Sequence, residues 1–413
     1  MNILLLAHFY PPEMGGAASR MHGLARWLVQ YGHQVTVVTA FPNYPSGVVP
    51  EQYRGKLWQR ESMDGVDILR TWIYASPKRG SMRRLANYFS FVASSALTGA
   101  FAKRRFDVVL ASSPPLFIGM AGFFLAKRYG AKFVFDIRDI WPELAVEAGE
   151  YTADAAMVRW GERLERFLYQ QADHITVVTE AKRAKLLAKH VPSNKLSVVA
   201  NGVDLDLLTR NDSTDWRGRF GLNGHFTAVY AGLIGIFQGT EVIADAASEL
   251  RQSDDIHFLI VGDGVKKPEL EKRIAEQKLN NVTLAPQQPR EAIPGILKSA
   301  NVAIVPLVNE NLVDAVPSKL LEAWGCHLPV ILVAGGEARR LVEESGGGVV
   351  IPPGSPDKLA QAVVEMAASR QNAQKFAEQG FAYVANNFDR RTLARQMESV
   401  LHQVVGKNYR QSN

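Results

Sequence analysis

The chain has 413 residues, 47% hydrophobic and 21% charged, a globular composition that excludes a disordered chain and gives room for two or three domains. Its net charge of +6 and pI near 9.2 favour anionic partners: nucleotides, anionic lipid or nucleic acid. A single cysteine, Cys326, excludes an intrachain disulfide and a thiolate metal cage, suits a reducing cytoplasm and reads as core packing.

The first run, Asn2 to Ala7, lacks a basic leader and is too short for a signal peptide or a membrane span, so it reads as a buried strand. Similar runs follow at Gln34 to Ala40, Val66 to Ile73, Asp107 to Ala111, Lys132 to Asp136 and Ile175 to Thr179, with helical patterns between them. That alternation is the grammar of a parallel α/β sheet. A second series occupies Phe226 to Ala231, Ile256 to Val261, Val282 to Ala285, Val302 to Pro306, Pro329 to Val333 and Gly348 to Ile351. Two Rossmann-like domains are therefore expected, with a boundary at the turn-rich Asn201-Gly202-Val203-Asp204. The expected domains are residues 1–200 and 201–387. In the remaining 388–413, a helix from Arg390 to Val405 crosses back to the first domain and a frayed tail follows. Ligands of open α/β sheets bind outside the carboxyl ends of the strands, so the site is expected in a deep cleft between the two facing domains.

After the first strand, Gly15 and Gly16 permit close backbone approach to a ligand or simply make a turn. Lys78, Arg79, Arg83 and Arg84 precede an apolar stretch, Leu85 to Ala102, closed by Lys103-Arg104-Arg105. This block reads either as a buried helix with solvated flanks or as a contact with an anionic membrane surface. The fifth strand run ends in Phe135-Asp136-Ile137-Arg138-Asp139-Ile140-Trp141-Pro142-Glu143. Arg138 suits a phosphate and Asp139 or Glu143 suits sugar hydroxyls, against a structural Arg/Asp network around a core Trp141.

Asp204-Leu205-Asp206 matches the signature of metal-dependent sugar transferases but sits where a helix cap is needed, and capping is the reading preferred. Gly232 and Gly235, before a helix from Thr240 to Leu250, leave room for a phosphate, as Gly262-Asp263-Gly264 does, though turn chemistry explains both. Pro286 follows a strand, where a base pocket or a plain loop is expected. In Val313 to Glu322, Pro317 fits a first helical turn and leaves the amides of Ser318, Lys319 and Leu320 to bind an anion. Glu322 shares a face with Ser318 and Lys319. The competing reading is a short amphipathic helix with Leu320, Leu321 and Trp324 in the core. The nine histidines show no metal-ligand spacing and no nucleophile elbow appears, so no metal is expected.

Taken together, these pieces resemble the retaining glycosyltransferases of family four, of GT-B fold, over nearly the whole chain and in the family's motif order. The family's two glutamates with seven residues between them, in a segment ending Glu-Ala-x-x-x-x-x-Pro-Val, match here through Glu322-Ala323 and Pro329-Val330. Asp314 stands in the first glutamate's place, one methylene shorter. The family's Gly-Arg and Lys-Gly fall on Gly232-Leu233 and Gln238-Gly239, so both customary cations are missing and Lys319 and Arg138 are expected to replace them. Pro42-Asn43-Tyr44-Pro45-Ser46-Gly47 and Pro317-Ser318-Lys319 are similar to bacterial enzymes that build lipid-linked polysaccharides, above all O-antigen and capsule fucosamine-type transferases.

The resemblance implies a metal-independent hexosyl transfer with retention, no cofactor, and a nucleotide-sugar donor, UDP by family precedent. Glu322 would hold the ribose, Ser318 and Lys319 the diphosphate, and Asp314 the sugar. Gly15 and Gly16 would close over the phosphates, with Gly232, Gln238, Gly264, Pro286 and Leu320 completing the donor set. Asp139, then Glu143, would orient sugar or acceptor. The acceptor would be an undecaprenyl-diphosphate saccharide, met at an anionic membrane surface through Lys78, Arg79, Arg83 and Arg84. The protein would be cytoplasmic and peripheral on the inner face of the membrane. Nucleic acid is not expected, because no basic array with exposed aromatics occurs. The alternatives are a nonhydrolysing nucleotide-sugar epimerase, which needs dense acid and base residues, and a nonenzymatic assembly scaffold, which would bind donor without turnover.

Overall fold

The structure, a computed structural model, describes residues 1–406 other than 14, 45, 79, 103, 148–151, 153 and 211. It divides into two compact units: Met1–Asn201 with the chain from Arg390 onward, and Gly202–Asp389.

The first unit is built on β1 (Asn2–Ala7), β2 (Gln34–Ala40), β3 (Trp58–Met63), β4 (Val66–Thr71), β5 (Val108–Ser113), β6 (Lys132–Ile137), β7 (His174–Val177) and β8 (Leu196–Val198). They form one sheet in the order β3-β4-β2-β1-β5-β6-β7-β8. All neighbours are parallel except β3, which pairs antiparallel with β4 through the positive-φ turn Asp64-Gly65. This edge strand was not expected: its mostly polar residues alternate between exposed and partly buried positions and give no buried run, the usual look of a protected sheet edge.

Helices α1 (Gly16–Gln30), α2 (Ser81–Ala100), α3 (Ile118–Tyr129), α4 (Glu143–Glu147), α5 (Ala156–Gln171) and α6 (Glu180–Ala188) cover the sheet. Because successive side chains of a strand alternate, Leu4 and Leu6 join Phe91 of α2, Leu125 of α3 and Leu168 of α5 on one face. Ile3 and Leu5 join Leu24 and Leu28 of α1 on the other. Covering both faces is what makes the strands read as continuous apolar runs. Where β1 meets β5 the strand order reverses, and the loops leaving these two strands flank that switch point.

His8, the residue after β1, is enclosed by the rings of Phe9, Tyr88 and Phe91 at centroid distances of 4.5, 5.5 and 4.8 Å. Burial drops its imidazole to about 3, the Asn87 side chain pulling up and the Arg138 charge pulling further down. The unfolded chain takes up this proton near 6.5 and the folded chain does not, so the residue's contribution is whole above 6.5 and drains as pH falls towards 3. Stability should therefore fall by up to about 1.4 kcal/mol per pH step across that window. In urea titrations at stepped pH, His8→Phe should flatten this acid limb. An identical limb in the variant would assign the proton uptake to other groups.

The second unit holds β9 (Phe226–Ala231), β10 (Ile256–Val261), β11 (Val282–Ala285), β12 (Val302–Pro306), β13 (Val330–Val333) and β14 (Gly348–Ile351). Every neighbour pair in the order β11-β10-β9-β12-β13-β14 is parallel, and the order reverses between β9 and β12. Its helices are α7 (Leu205–Leu208), α8 (Trp216–Phe220), α9 (Glu241–Glu249), α10 (Lys267–Glu276), α11 (Ile293–Lys298), α12 (Ser318–Gly325), α13 (Gly336–Ser345), α14 (Pro356–Ala368) and α15 (Arg370–Asn387). Asp204 does stand at the start of α7, but its side chain makes no capping hydrogen bond to that helix. Cys326 is core, its thiol pushed up by burial to about 12.

The last helix, α16 (Arg390–Val405), belongs to the first unit. Leu393, Met397 and Leu401 seat it on the same face as α1, and Gly23 leaves room where a Cβ would strike the Arg390 side chain. His33 meets Glu398 at 2.7 Å to pin the helix to the start of β2. Within the second unit its first and last residues run side by side, with Val203 N–H donating to Phe388 O at 2.9 Å.

Candidate active site

The reversal between β9 and β12 puts two loops next to each other at the carboxyl ends of these strands. The first, 232–239, is pressed against the loop after β10. Gly232 N–H donates to Val261 O at 2.8 Å, Ile234 N–H to Asp263 O at 2.8 Å, and Lys266 N–H to Ile234 O at 3.0 Å. A Cβ at Gly262 would strike Gly232 O, and one at Gly264, where φ is +155°, would strike Ile234 O. Backbone packing therefore accounts for both glycines, which is the turn reading of that motif. Val308 N–H donates to Phe237 O at 3.0 Å and so ties the loop after β12, which carries Asp314, to the same place.

Helix α12 begins beside these loops. Its first residue is Ser318; Pro317 is extended (φ −63°, ψ 131°) and stands outside the helix rather than in its first turn. The Leu320 amide turns back to Pro317 O at 3.1 Å and the Leu320 side chain is buried, so of the three expected free amides only those of Ser318 and Lys319 have no backbone partner among the described residues. The competing reading of this segment holds for Leu320, Leu321 and Trp324, all buried.

Lys319 does not follow it. Its side chain folds over Gly232, where a Cβ would collide with its Cε, and its ammonium sits 5.3 Å from the centroid of the Tyr230 ring. Burial lowers its pKa and the Glu322 charge one turn on raises it. Among the described residues no carboxylate lies within ion-pair distance of Lys319. Asp314 is buried, in a loop fixed where Glu337 N–H donates to Val313 O at 2.7 Å. Two buried polar atoms of the glycine loop, Gln238 Oε1 and Thr240 Oγ1, have no hydrogen-bond partner among the described residues. Thr240 and Tyr230 escaped the sequence reading, because nothing local marks a strand aromatic or a lone threonine. Pro286 is exposed past β11.

In the first unit, Gly15 is the residue before α1 with φ 134°, and both Gly15 and Gly16 face open space where a Cβ would stand. The loop that holds them is anchored by Glu13, whose buried carboxylate accepts from the amides of Tyr10, Asn43 and Tyr44 at 3.4, 2.9 and 3.0 Å. Burial raises its pKa and those amides work against the rise. Arg138 donates from Nε to Ser113 O at 3.1 Å, and a second contact reaches Pro114 O at 3.5 Å, so its guanidinium is held by the loop leaving β5. Asp139 is half-buried beside it.

Glu143 is spent elsewhere. It pairs with Lys185 at 2.9 Å and Lys189 at 3.3 Å, and Lys189 also pairs with Glu165 at 3.0 Å. Partial burial alone would raise its pKa, but these lysines hold its carboxyl below the usual range. This is a structural brace between α4, α5 and α6, and it engages the carboxylate that was expected to serve sugar or acceptor. Arg83 and Arg84 are exposed at the start of α2 and Lys78 is exposed ahead of it; Arg79 lies outside the described residues. A cavity of about 350 Å³ near Glu310, Gly335, Arg339 and Pro352 includes none of the expected site residues.

Residues 15–202 match the family model of the glycosyl transferase 4-like domain, and residues 225–369 that of glycosyl transferases group 1. WcaI of Escherichia coli K12, named for colanic acid biosynthesis, is 28% identical over 347 residues, 82% of each chain. The glycosyltransferase WbjE of Pseudomonas aeruginosa is 28% identical over 295 residues, 69% of this chain and 72% of that one. The crystal structure of Anabaena HepE in complex with UDP shares the fold with a TM-score of 0.71 at 18% identity, covering 98% of this chain and all of that one. The first domain model spans β2 to β8 and the second β9 to β14, one sheet each, and the chain belongs to the family-four glycosyltransferases of GT-B fold.

Proposed function

We propose that the chain is a retaining, metal-independent hexosyltransferase that moves a sugar of the N-acetylated deoxyamino type from a UDP-sugar to an undecaprenyl-diphosphate saccharide. The product would serve bacterial surface polysaccharide synthesis, of the O-antigen or capsule kind, on the inner face of the cytoplasmic membrane. The observation that carries this reading is Lys319 lying over Gly232, with no paired carboxylate among the described residues, at the start of the helix that also carries Glu322. Two similar proteins support the same reading: WcaI is named for colanic acid biosynthesis, and HepE was solved with UDP and with UDP-glucose.

Glu322 holds the ribose hydroxyls, Asp314 the sugar, and the Ser318 and Lys319 amides with the Lys319 ammonium the diphosphate. As the bond from sugar to phosphate breaks, charge grows on the diphosphate and is met by donors already in position. The acceptor hydroxyl attacks from the same face of the sugar and its proton passes to the departing phosphate oxygen. Asp139 orients the acceptor or the sugar, and Arg138 supports the loop beside it.

Incubation with a panel of nucleotide sugars and a synthetic prenyl-diphosphate disaccharide, in the presence of EDTA, should add one sugar mass to the lipid by mass spectrometry. Glu322→Ala should abolish that gain. Donor binding without any mass gain across the panel would reject the proposal in favour of a scaffold.

A further inference from the structure

Helix α2 buries one side through Phe91, Ser95 and Gly99, yet its opposite side is apolar too. Met82, Ala86, Phe89, Ala93, Leu97 and Phe101 recur every three or four residues and form one exposed stripe along the helix. Met82, Leu97 and Phe101 are exposed by 78, 65 and 81%. Solvent would ordinarily select charged residues at such positions.

The stripe continues sideways. On the same face of the sheet, α2 packs on α3 where Gly99 meets Leu125, and α3 packs on α5 where Gly119 meets Leu168. Met120 and Phe124 of α3 and Trp160 and Phe167 of α5 are exposed as well. The Phe89 and Trp160 rings lie 6.3 Å apart, and Phe123 and Phe167 5.5 Å, so the three helices present one surface.

Its charge is one-sided. Arg83 and Arg84 on α2, Lys127 and Arg128 on α3, and Arg159, Arg163 and Arg166 on α5 are all exposed. Among the described residues of these helices the carboxylates are Glu162 and Glu165, and Glu165 is buried against Lys189 and Tyr169. No helix among the described residues is long and apolar enough to cross a membrane.

We propose that the outer face of α2, α3 and α5 lies in the plane of an anionic lipid bilayer, its apolar side chains entering the headgroup boundary while the arginines and lysine bind lipid phosphates. An apolar stripe on a helix lying flat, with cations around it and hardly an acid, is the arrangement that binds such a surface. A protein partner would be expected to find acids as well as bases to pair with. The inference deepens the membrane part of the proposed function and names the docking face, which extends well beyond the basic residues of the sequence motif.

The test uses the full chain and large vesicles that contain no saccharide acceptor, so its failure would leave the transfer reading standing. Co-sedimentation with phosphatidylcholine containing about one third phosphatidylglycerol should exceed that with phosphatidylcholine alone by about tenfold or more, and high salt should reverse it. The double variants Leu97→Ser/Phe124→Ser and Arg159→Gln/Arg163→Gln should each lose about tenfold of the binding. All four positions are exposed, and an unchanged melting temperature and UDP affinity would show that fold and donor site are intact. Equal binding to both vesicle types, or full binding by both variants, overturns the proposal. So does a concentration-dependent dimer that these variants dissolve while lipid binding stays absent, which would give the face to a second copy.

Discussion

Exchange of Lys319 for methionine will lower sugar transfer by about two orders of magnitude, mostly in kcat. The reason is where the ammonium sits. It reaches across the bare backbone of Gly232 to the ring of Tyr230, at the mouth of the loop where the family's customary arginine would stand at Leu233. A cation held there by packing is already positioned when negative charge grows on the leaving diphosphate, and interactions realised mainly in the transition state act on kcat. Methionine keeps the stem and loses the charge, so the helix start should survive.

The same argument supplies its own rescue. Leu233 is 49% exposed, so placing arginine there costs little stability. In the Lys319→Met background, Leu233→Arg should return at least about tenfold of the lost rate by supplying a cation from the other side of the loop. Arginine at 319 itself should rescue poorly, since the groove over Gly232 admits a slim chain and a guanidinium is broad and planar. A Lys319→Met enzyme with parental kcat would show that the diphosphate is held by other groups.

The largest effect on stability is expected at Arg20. This α1 residue donates to Asp136 at 3.0 Å and to the carbonyls of Val199 and Ala200 at 2.9 and 2.5 Å, joining the helix, β6 and the segment after β8. Asp136 is fully buried, with Ser112 and Thr176 hydroxyls as its other donors at 2.8 Å each. Burial alone would push its carboxyl up, but the Arg20 guanidinium, then Arg138 and Ser112, hold it below the usual range. Arg20→Met strands that carboxylate and should cost the first unit about 3–5 kcal/mol. Adding Asp136→Leu should recover most of the loss, because replacing both partners of a buried pair is far cheaper than removing one. Urea unfolding followed by a probe in the first unit measures both, and strict additivity of the two losses would refute the coupling. With its folded pKa depressed, Asp136 contributes fully above the ordinary carboxylate value and loses that contribution as pH falls below that value and through the lower folded pKa.

Much of the fold was legible because doubly covered parallel strands are apolar along their whole length, as Ile3 to Leu6 and Phe258 to Val261 are. Strand β3 was not, because an edge strand with Arg60 and Glu61 offers no such run. At the site, residue types were readable and pairings were not. The sequence shows four charged residues near the end of β6; that Glu143 turns to Lys185 and Lys189, and Arg138 to the carbonyl of Ser113, depends on helices and loops distant in the chain. Glu13 escaped likewise, since the amides it binds come from the loop after β2. Helix α2 shows a further limit. A helix apolar on two opposite sides fits either burial or a surface contact, and the sequence does not say which side the neighbouring helices leave uncovered.

The placement of α16 in the first unit bears on how the protein is made. A ribosome delivers Met1–Asn201 first, then all of Gly202–Asp389, and only afterwards the helix that covers Leu24, Leu28 and the adjoining strand residues. Throughout that interval the nascent first unit carries a naked apolar flank, so its completion waits on the translation of its neighbour, and chaperones that shield such flanks would be needed most while the second unit is being synthesised.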